Sequence, residues 1–71
     1  MQIIRFIGWK KNMNKIKFIH LLNEHADLSL KESKEVKDRI VNDEIVEIVV
    51  SDDKVSLLMS EAHKFGIIAE L

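Results

Sequence analysis

No cysteine and no proline occur in these 71 residues, and only Gly8 and Gly66 are glycine. Without cysteine no disulfide can staple the chain, so stability rests on a well-packed core or on a partner that covers part of it. The same absence fits a reducing compartment. Nothing in the composition marks a linker or a low-complexity tract. Residues 1–71 therefore read as a single domain, near the lower end of what one core supports unaided. No apolar run approaches the roughly 18 residues needed to span a bilayer. The start, MQIIRFIGWKKN, has Arg5 inside its short apolar run and lysines after it. A secretory signal would carry its charge first and a longer apolar stretch next. The expected location is cytoplasmic.

What is present is a globular balance, with 46% apolar and 32% charged residues and a net charge of −1. The charge is uneven. Residues 1–22 hold five basic groups (Arg5, Lys10, Lys11, Lys15 and Lys17) and no acid, whereas residues 23–71 hold six basic and twelve acidic groups. A positive end on an acidic body can steer toward an acidic partner. It falls short of the basic excess usual in nucleic-acid binders, so nucleic acid is not an expected partner.

Periodicity gives an order of β-α-α-β-α-β. MQIIRFIGW, rich in isoleucine, reads as a first strand. After KKNMN, with Asn14 as N-cap, residues from Lys15 to about Ala26 are helical. Phe18, Leu22, Ala26 and His25 share one face of that helix, with Ile19 at its edge. Asp27 tolerates the left-handed geometry that stops a helix. Ser29-Leu30-Lys31-Glu32 is a capping box that opens a second helix, whose inward stripe is Ser33, Val36 and Ile40. Its outer face offers i,i+4 pairs between Lys31 and Glu35, Lys34 and Asp38, and Glu35 and Arg39. IVEIVV, from Ile45 to Val50, is a second strand. Ser51 should cap a third helix with Asp52 and Asp53 in its first turn, and Val55, Leu58, Met59, Ala62 and Phe65 on its apolar stripe. Gly66 sits where a C′ glycine belongs, and IIAEL closes the chain as a third strand. The economical packing is an α+β, two-layer domain with three helices on one face of a small three-stranded sheet.

Signals for catalysis are weak. His20 and His25 fall about 140° apart around a helix, and five serines lack a nucleophile-elbow context. Asp52 and Asp53 are explained by a helix start, and no glycine-rich phosphate loop exists. Neither an enzyme, a metal site nor a cofactor is expected. Binding is better supported. Ile16 lies about 120° from Leu22 on the helical wheel, outside the core stripe. His20 and Asn23 fall beside it and Ile19 lies at the border. Lysines would rim such a patch and add steering toward an acidic partner. A patch this small suits a transient protein interaction. Trp9, at the end of the first strand, is expected to cover one edge of the core.

NKIKFIHLL, LSLKESKEVKD and SDDKVSLLMSEAHKFGIIAEL together resemble the C-terminal domain of the bacterial ribosomal stalk protein, the acidic L-seven/L-twelve protein. That family reads approximately N-K-[VI]-x-[VI]-I-K-x-[VI]-R, then G-L-G-L-K-E-A-K, then S-K-x-[DE]-A and A-G-A-x-V-E. The match spans about residues 14–71, and Leu28 to Lys34 is its most specific block. The resemblance implies recruitment of a translational GTPase, or work at the ribosome, through the first two helices. The family's contact positions fall on Ile16, Ile19, His20, Asn23 and Lys34, and Lys31 stands beside them on the second helix. His20 and Asn23 replace a lysine and an arginine, and Asp27 and Ser29 replace glycines of the interhelix turn. The chain shows neither the helical dimerisation domain nor the hinge of the stalk protein, so it resembles a free-standing relative. Two alternatives stand beside this reading. One is a structural homodimer that uses the same patch or the sheet edge. The other is a relative of the Clp protease adaptor, which shares the architecture and needs an acidic, histidine-bearing pocket for a free amino terminus; its motif does not place residue by residue here.

Overall fold

The computed structural model describes all 71 residues. The elements are β1 (Gln2–Trp9), α1 (Lys15–His25), α2 (Leu30–Val41), β2 (Val46–Val50), a 3-10 turn at Asp52–Lys54, α3 (Val55–Lys64) and β3 (Ile67–Glu70). The three strands form one antiparallel sheet in the order β2-β1-β3. The class is α+β, as the periodicity indicated.

Alternation divides the sheet into two unlike faces. Ile4 and Phe6 of β1, Val46, Ile48 and Val50 of β2 and Ile67 of β3 are buried against the helices. Opposite them, Ile3, Ile7, Val49 and Ile68 stay between 41% and 55% exposed, because no helix covers that side. The helix layer adds Phe18, Leu21, Leu22, Val36, Ile40, Leu58 and Ala62 to one continuous core. Phe6 and Phe18 tie the layers together edge to face, with centroids 5.3 Å apart and rings at 88°. Trp9 packs against this cluster while half-exposed, in its expected covering role.

Local chemistry sets the helix boundaries. The Asn14 side chain accepts from Lys17 N–H at the start of α1. Asp27 adopts φ 55° at the interhelix turn. At α2, Glu32 N–H donates to Ser29 Oγ (3.1 Å) and Ser29 N–H donates to Glu32 Oε1 (2.9 Å), completing the capping box. The buried Ser33 hydroxyl is satisfied by donating to the Ser29 carbonyl at 2.9 Å. Gly66 turns the chain out of α3 with φ +90°.

Several expectations are corrected. Leu21 and Met13 join the core although the helical stripe did not include them. None of the three i,i+4 pairs expected on α2 forms. Lys37 pairs with its neighbour Asp38, and Arg39 with Glu44 beyond the helix end. Exposed long side chains find such partners at little cost either way, so helix spacing alone does not choose among them. Ser51 precedes the 3-10 turn without a side-chain cap bond. Asp52 instead lies 3.0 Å from the amino-terminal nitrogen of Met1, an ion pair that the strand register makes by bringing Gln2 opposite Val50.

The capping box carries a pH dependence. The bond from the Ser29 backbone, then the contact with the Ser29 side chain, holds the Glu32 carboxyl below its ordinary pKa of 4.5. A carboxylate lowered on folding contributes stability above the ordinary carboxylate range, and that contribution disappears as pH falls through its folded value. Glu32→Gln should therefore flatten the acid limb of a stability-versus-pH profile, most visibly below the ordinary carboxylate range. Ser29→Ala should cost about 0.5–2 kcal/mol at neutral pH but only weaken the acid-limb feature, because the backbone N–H of residue 29 still donates to Glu32. Urea midpoints across pH check both expectations.

Candidate functional site

The solvent side of α1 is the best-defined binding candidate. Helical spacing places Ile16, Ile19, His20 and Asn23 on one stripe, since residues three and four apart are surface neighbours. Phe18, Leu21 and Leu22 turn inward on the other side and fix the rotation of the helix. Ile16 is 69% exposed, Ile19 is half-buried and His20 is exposed. The stripe thus has one free aliphatic side chain at its N-terminal end and a half-buried one a turn farther on.

Asn23 has a structural task in addition. Its Nδ2 donates to the Leu28 carbonyl at 2.9 Å, clamping the turn that joins α1 to α2. An arginine there could not reproduce the same short amide clamp, so the departure from the stalk-like pattern coincides with a local bond. Asp27 and Ser29, which stand where that pattern has glycines, serve the turn as a left-handed residue and an N-cap.

The α2 lysines are less closely joined to the stripe. Both Lys31 and Lys34 are exposed, and neither forms an ion pair or a hydrogen bond with a residue of α1. On the helical wheel Lys31 lies opposite Ser33, Val36 and Ile40, while Lys34 lies on the flank. Lys34 therefore lies nearer the packed side of α2 than Lys31.

Positive charge gathers instead at the start of α1. Its first turn contains no acid, and an open depression there is lined by Lys11, Asn12, Met13, Asn14, Lys15 and Ile16. The helix N-terminus, capped by the neutral Asn14 and not by an acid, adds to the field of these lysines. Ile16 thus borders both the basic depression and the apolar stripe.

A second feature escaped the sequence reading. A cleft of about 220 Å3 opens between α1 and α3, with Leu21, Leu57 and Phe65 as its apolar lining. Glu24, Glu61, His20 and His25 also border it, together with Lys17. The expectation that the two histidines stand apart on α1 is correct for the helix, but α3 makes both of them walls of one cleft. Lys17 Nζ sits 6.0 Å from the Phe65 ring centroid, at the outer limit of a cation–π contact. Glu61 pairs with Lys64 at 3.6 Å, and His25 Nε2 lies 3.8 Å from Glu24. His25 Nδ1 is buried without a hydrogen-bond partner, and nothing in the fold explains it. The available sequence signal was Leu57, one residue off the α3 core stripe and 36% exposed.

No group of three histidine, aspartate or glutamate side chains is arranged to hold a metal ion. No helix is long and apolar enough to cross a membrane. No family model, curated protein or solved structure matches the chain.

Proposed function

We propose that the domain is a non-enzymatic protein-interaction module that docks an acidic partner through the exposed face of α1 and the adjoining flank of α2. The observation that carries this reading is Ile16, 69% exposed at the junction of an apolar stripe and a lysine-rich helix start. Ile19, His20, Asn23 and Lys34 extend the contact, with Lys31 farther out. Burial of the isoleucine supplies the short-range attraction, and the acid-free first 22 residues supply steering. The resemblance to the stalk C-terminal domain points to a translational GTPase as the partner. An imidazole at His20 and an amide at Asn23 imply weaker docking than a lysine and an arginine would give.

Ile16→Asp tests the surface. Asp in the first turn suits the helix dipole, and exposed substitutions of this kind change stability by only about 0.5 kcal/mol. Full burial of an isoleucine is worth roughly 1.5–3 kcal/mol, so affinity for the partner should fall about tenfold to a hundredfold. Affinity for elongation factor G by fluorescence anisotropy is the measurement. An unchanged affinity in the folded variant contradicts the assignment.

The α1–α3 cleft favours one second reading, a protease-adaptor-like site for a free amino terminus. Glu24 and Glu61 would hold the amine, and Leu21, Leu57 and Phe65 the first side chain. A peptide with an apolar first residue should then bind only when its amine is free. Equal binding, or equal failure, of the acetylated peptide rejects that reading.

A further inference from the structure

A half-solvated antiparallel sheet ordinarily alternates apolar and polar residues, with the polar set facing water. The open face of this sheet departs from that rule. Ile3, Ile7, Val49 and Ile68 are aliphatic where a solvated face would carry polar groups, and each is 41–55% exposed. Across the middle of the face runs one charged row. Arg5 lies between Glu47 on β2 and Glu70 on β3, with Nη1 3.1 Å from Glu70 Oε1 and Nε 3.4 Å from Glu47 Oε2. Arg5 Nε is shielded from solvent yet too poorly aligned on Glu47 to form a hydrogen bond.

The register makes this face complementary to itself. Arg5 is the Cα partner of Glu70, and Gly8 is the partner of Ile68. Consider a two-fold axis parallel to the strands, lying above the gap between β1 and β3. Rotation about it sets β1 of one copy over β3 of the other and preserves position along the strands. Each Arg5 then faces Glu70 of the second copy, and each Ile68 faces the Ile7–Gly8 bulge of the second copy. Aliphatic meets aliphatic, and guanidinium meets carboxylate, in an isologous contact. Packed sheets twist by about 30° relative to each other. That rotation moves the strand ends most and the central charged row least.

We infer that the domain associates with a second copy of itself through the open face of β1 and β3, with Arg5 and Glu70 as the reciprocal charge pair. The apolar contact is only a few side chains per copy, below a standard interface, so the association is weak and concentration-dependent. The helices lie on the far side of each sheet. The dimer therefore leaves both α1 stripes free and presents them bivalently. The inference is independent of which partner those stripes bind.

Sedimentation equilibrium on the full chain at concentrations up to about 1 mM, the weak end of useful affinity, should show a monomer–dimer equilibrium. Arg5→Glu alone and Glu70→Arg alone should each sediment as monomers, because like charges meet twice across the axis. An equimolar mixture of the two should dimerise again at least as well as the native chain, because both contacts become opposite pairs. Within each variant the intramolecular pair stays broken, so recovery reports the contact between copies. Ile68→Ser, which leaves the charged row intact, should also give a monomer if either charge variant fails to fold. A native chain that stays monomeric at the highest concentration overturns the inference. So does a mixture of two folded variants that fails to associate, or an Ile68→Ser chain that dimerises normally.

Discussion

Phe18→Ala should lower the stability of the domain by about 3–5 kcal/mol, the range for emptying a buried aromatic site. A chain of this size has only about 4–10 kcal/mol in total, so the variant should sit at the edge of unfolding at room temperature. Phe18 is fully buried and meets Phe6 of the central strand edge to face at 5.3 Å. Loss of the ring removes the contact that seats α1 on the sheet. It also leaves a void in a core to which all three helices contribute fully buried side chains, Leu22, Ile40 and Leu58 among them. Complete collapse of that void would require all three helices to move. Urea denaturation followed by far-ultraviolet circular dichroism measures the loss. A decrease under about 1.5 kcal/mol would mean that the helices repack freely, contrary to a core held in one arrangement.

Gly66→Ala should be nearly as damaging, at about 3 kcal/mol, for a backbone reason. The residue has φ +90°, where an L side chain is strained. An added Cβ would also stand 2.9 Å from Met13 Cα and 3.2 Å from Met13 N. Those are backbone atoms of a turn that cannot retreat without breaking two bonds. Lys10 N–H donates to the Gly66 carbonyl at 2.7 Å, and Asn14 N–H to the Phe65 carbonyl at 2.8 Å. Together they splice the β1–α1 turn to the α3–β3 junction. Gly8→Ala is the natural control. Its Cβ would crowd the Ile68 Cδ1 tip at 3.3 Å, which can rotate away, and touch Ile68 Cβ at an ordinary 3.9 Å. The Gly66 variant should therefore lose several times more stability than the Gly8 variant in the same urea series; the reverse ranking would contradict the splice.

The readable parts of this fold were those decided within about one helical turn. Asn14 and the Ser29–Glu32 box act on neighbours three residues away, Asp27 and Gly66 act through their own backbone angles, and each occupies the expected role. Leu21 and Met13 were missed because their burial depends on what α3 and the Gly66 turn bring to them. Sheet order was equally hidden, since β1 at the centre follows from two pairings 40 to 65 residues apart in sequence, such as Phe6 with Val46 and Arg5 with Glu70. The Asp52 contact with the amino terminus is another product of that register.

The same division runs through the candidate sites. Ile16 could be recognised as off the core stripe from spacing alone, and it is exposed. The second role of Asn23, as donor to Leu28, required the geometry of the turn. The α1–α3 cleft and the Arg5–Glu70 face belong to no single element, so no periodicity could reveal them. Lys31 illustrates the opposite limit, a residue matched by sequence pattern that the helix turns away from the core side of α2.

The central proposal is that α1 and the flank of α2 form the docking surface, and a two-dimensional amide NMR titration of the labelled domain with elongation factor G tests it most directly. Saturable shifts centred on Ile16 to Asn23, with weaker ones at Lys34, and an unperturbed α3 wall of the cleft at Leu57, Glu61 and Phe65 are the expected result. Shifts centred on that α3 wall, or none at near-millimolar factor with the fold intact, would contradict it.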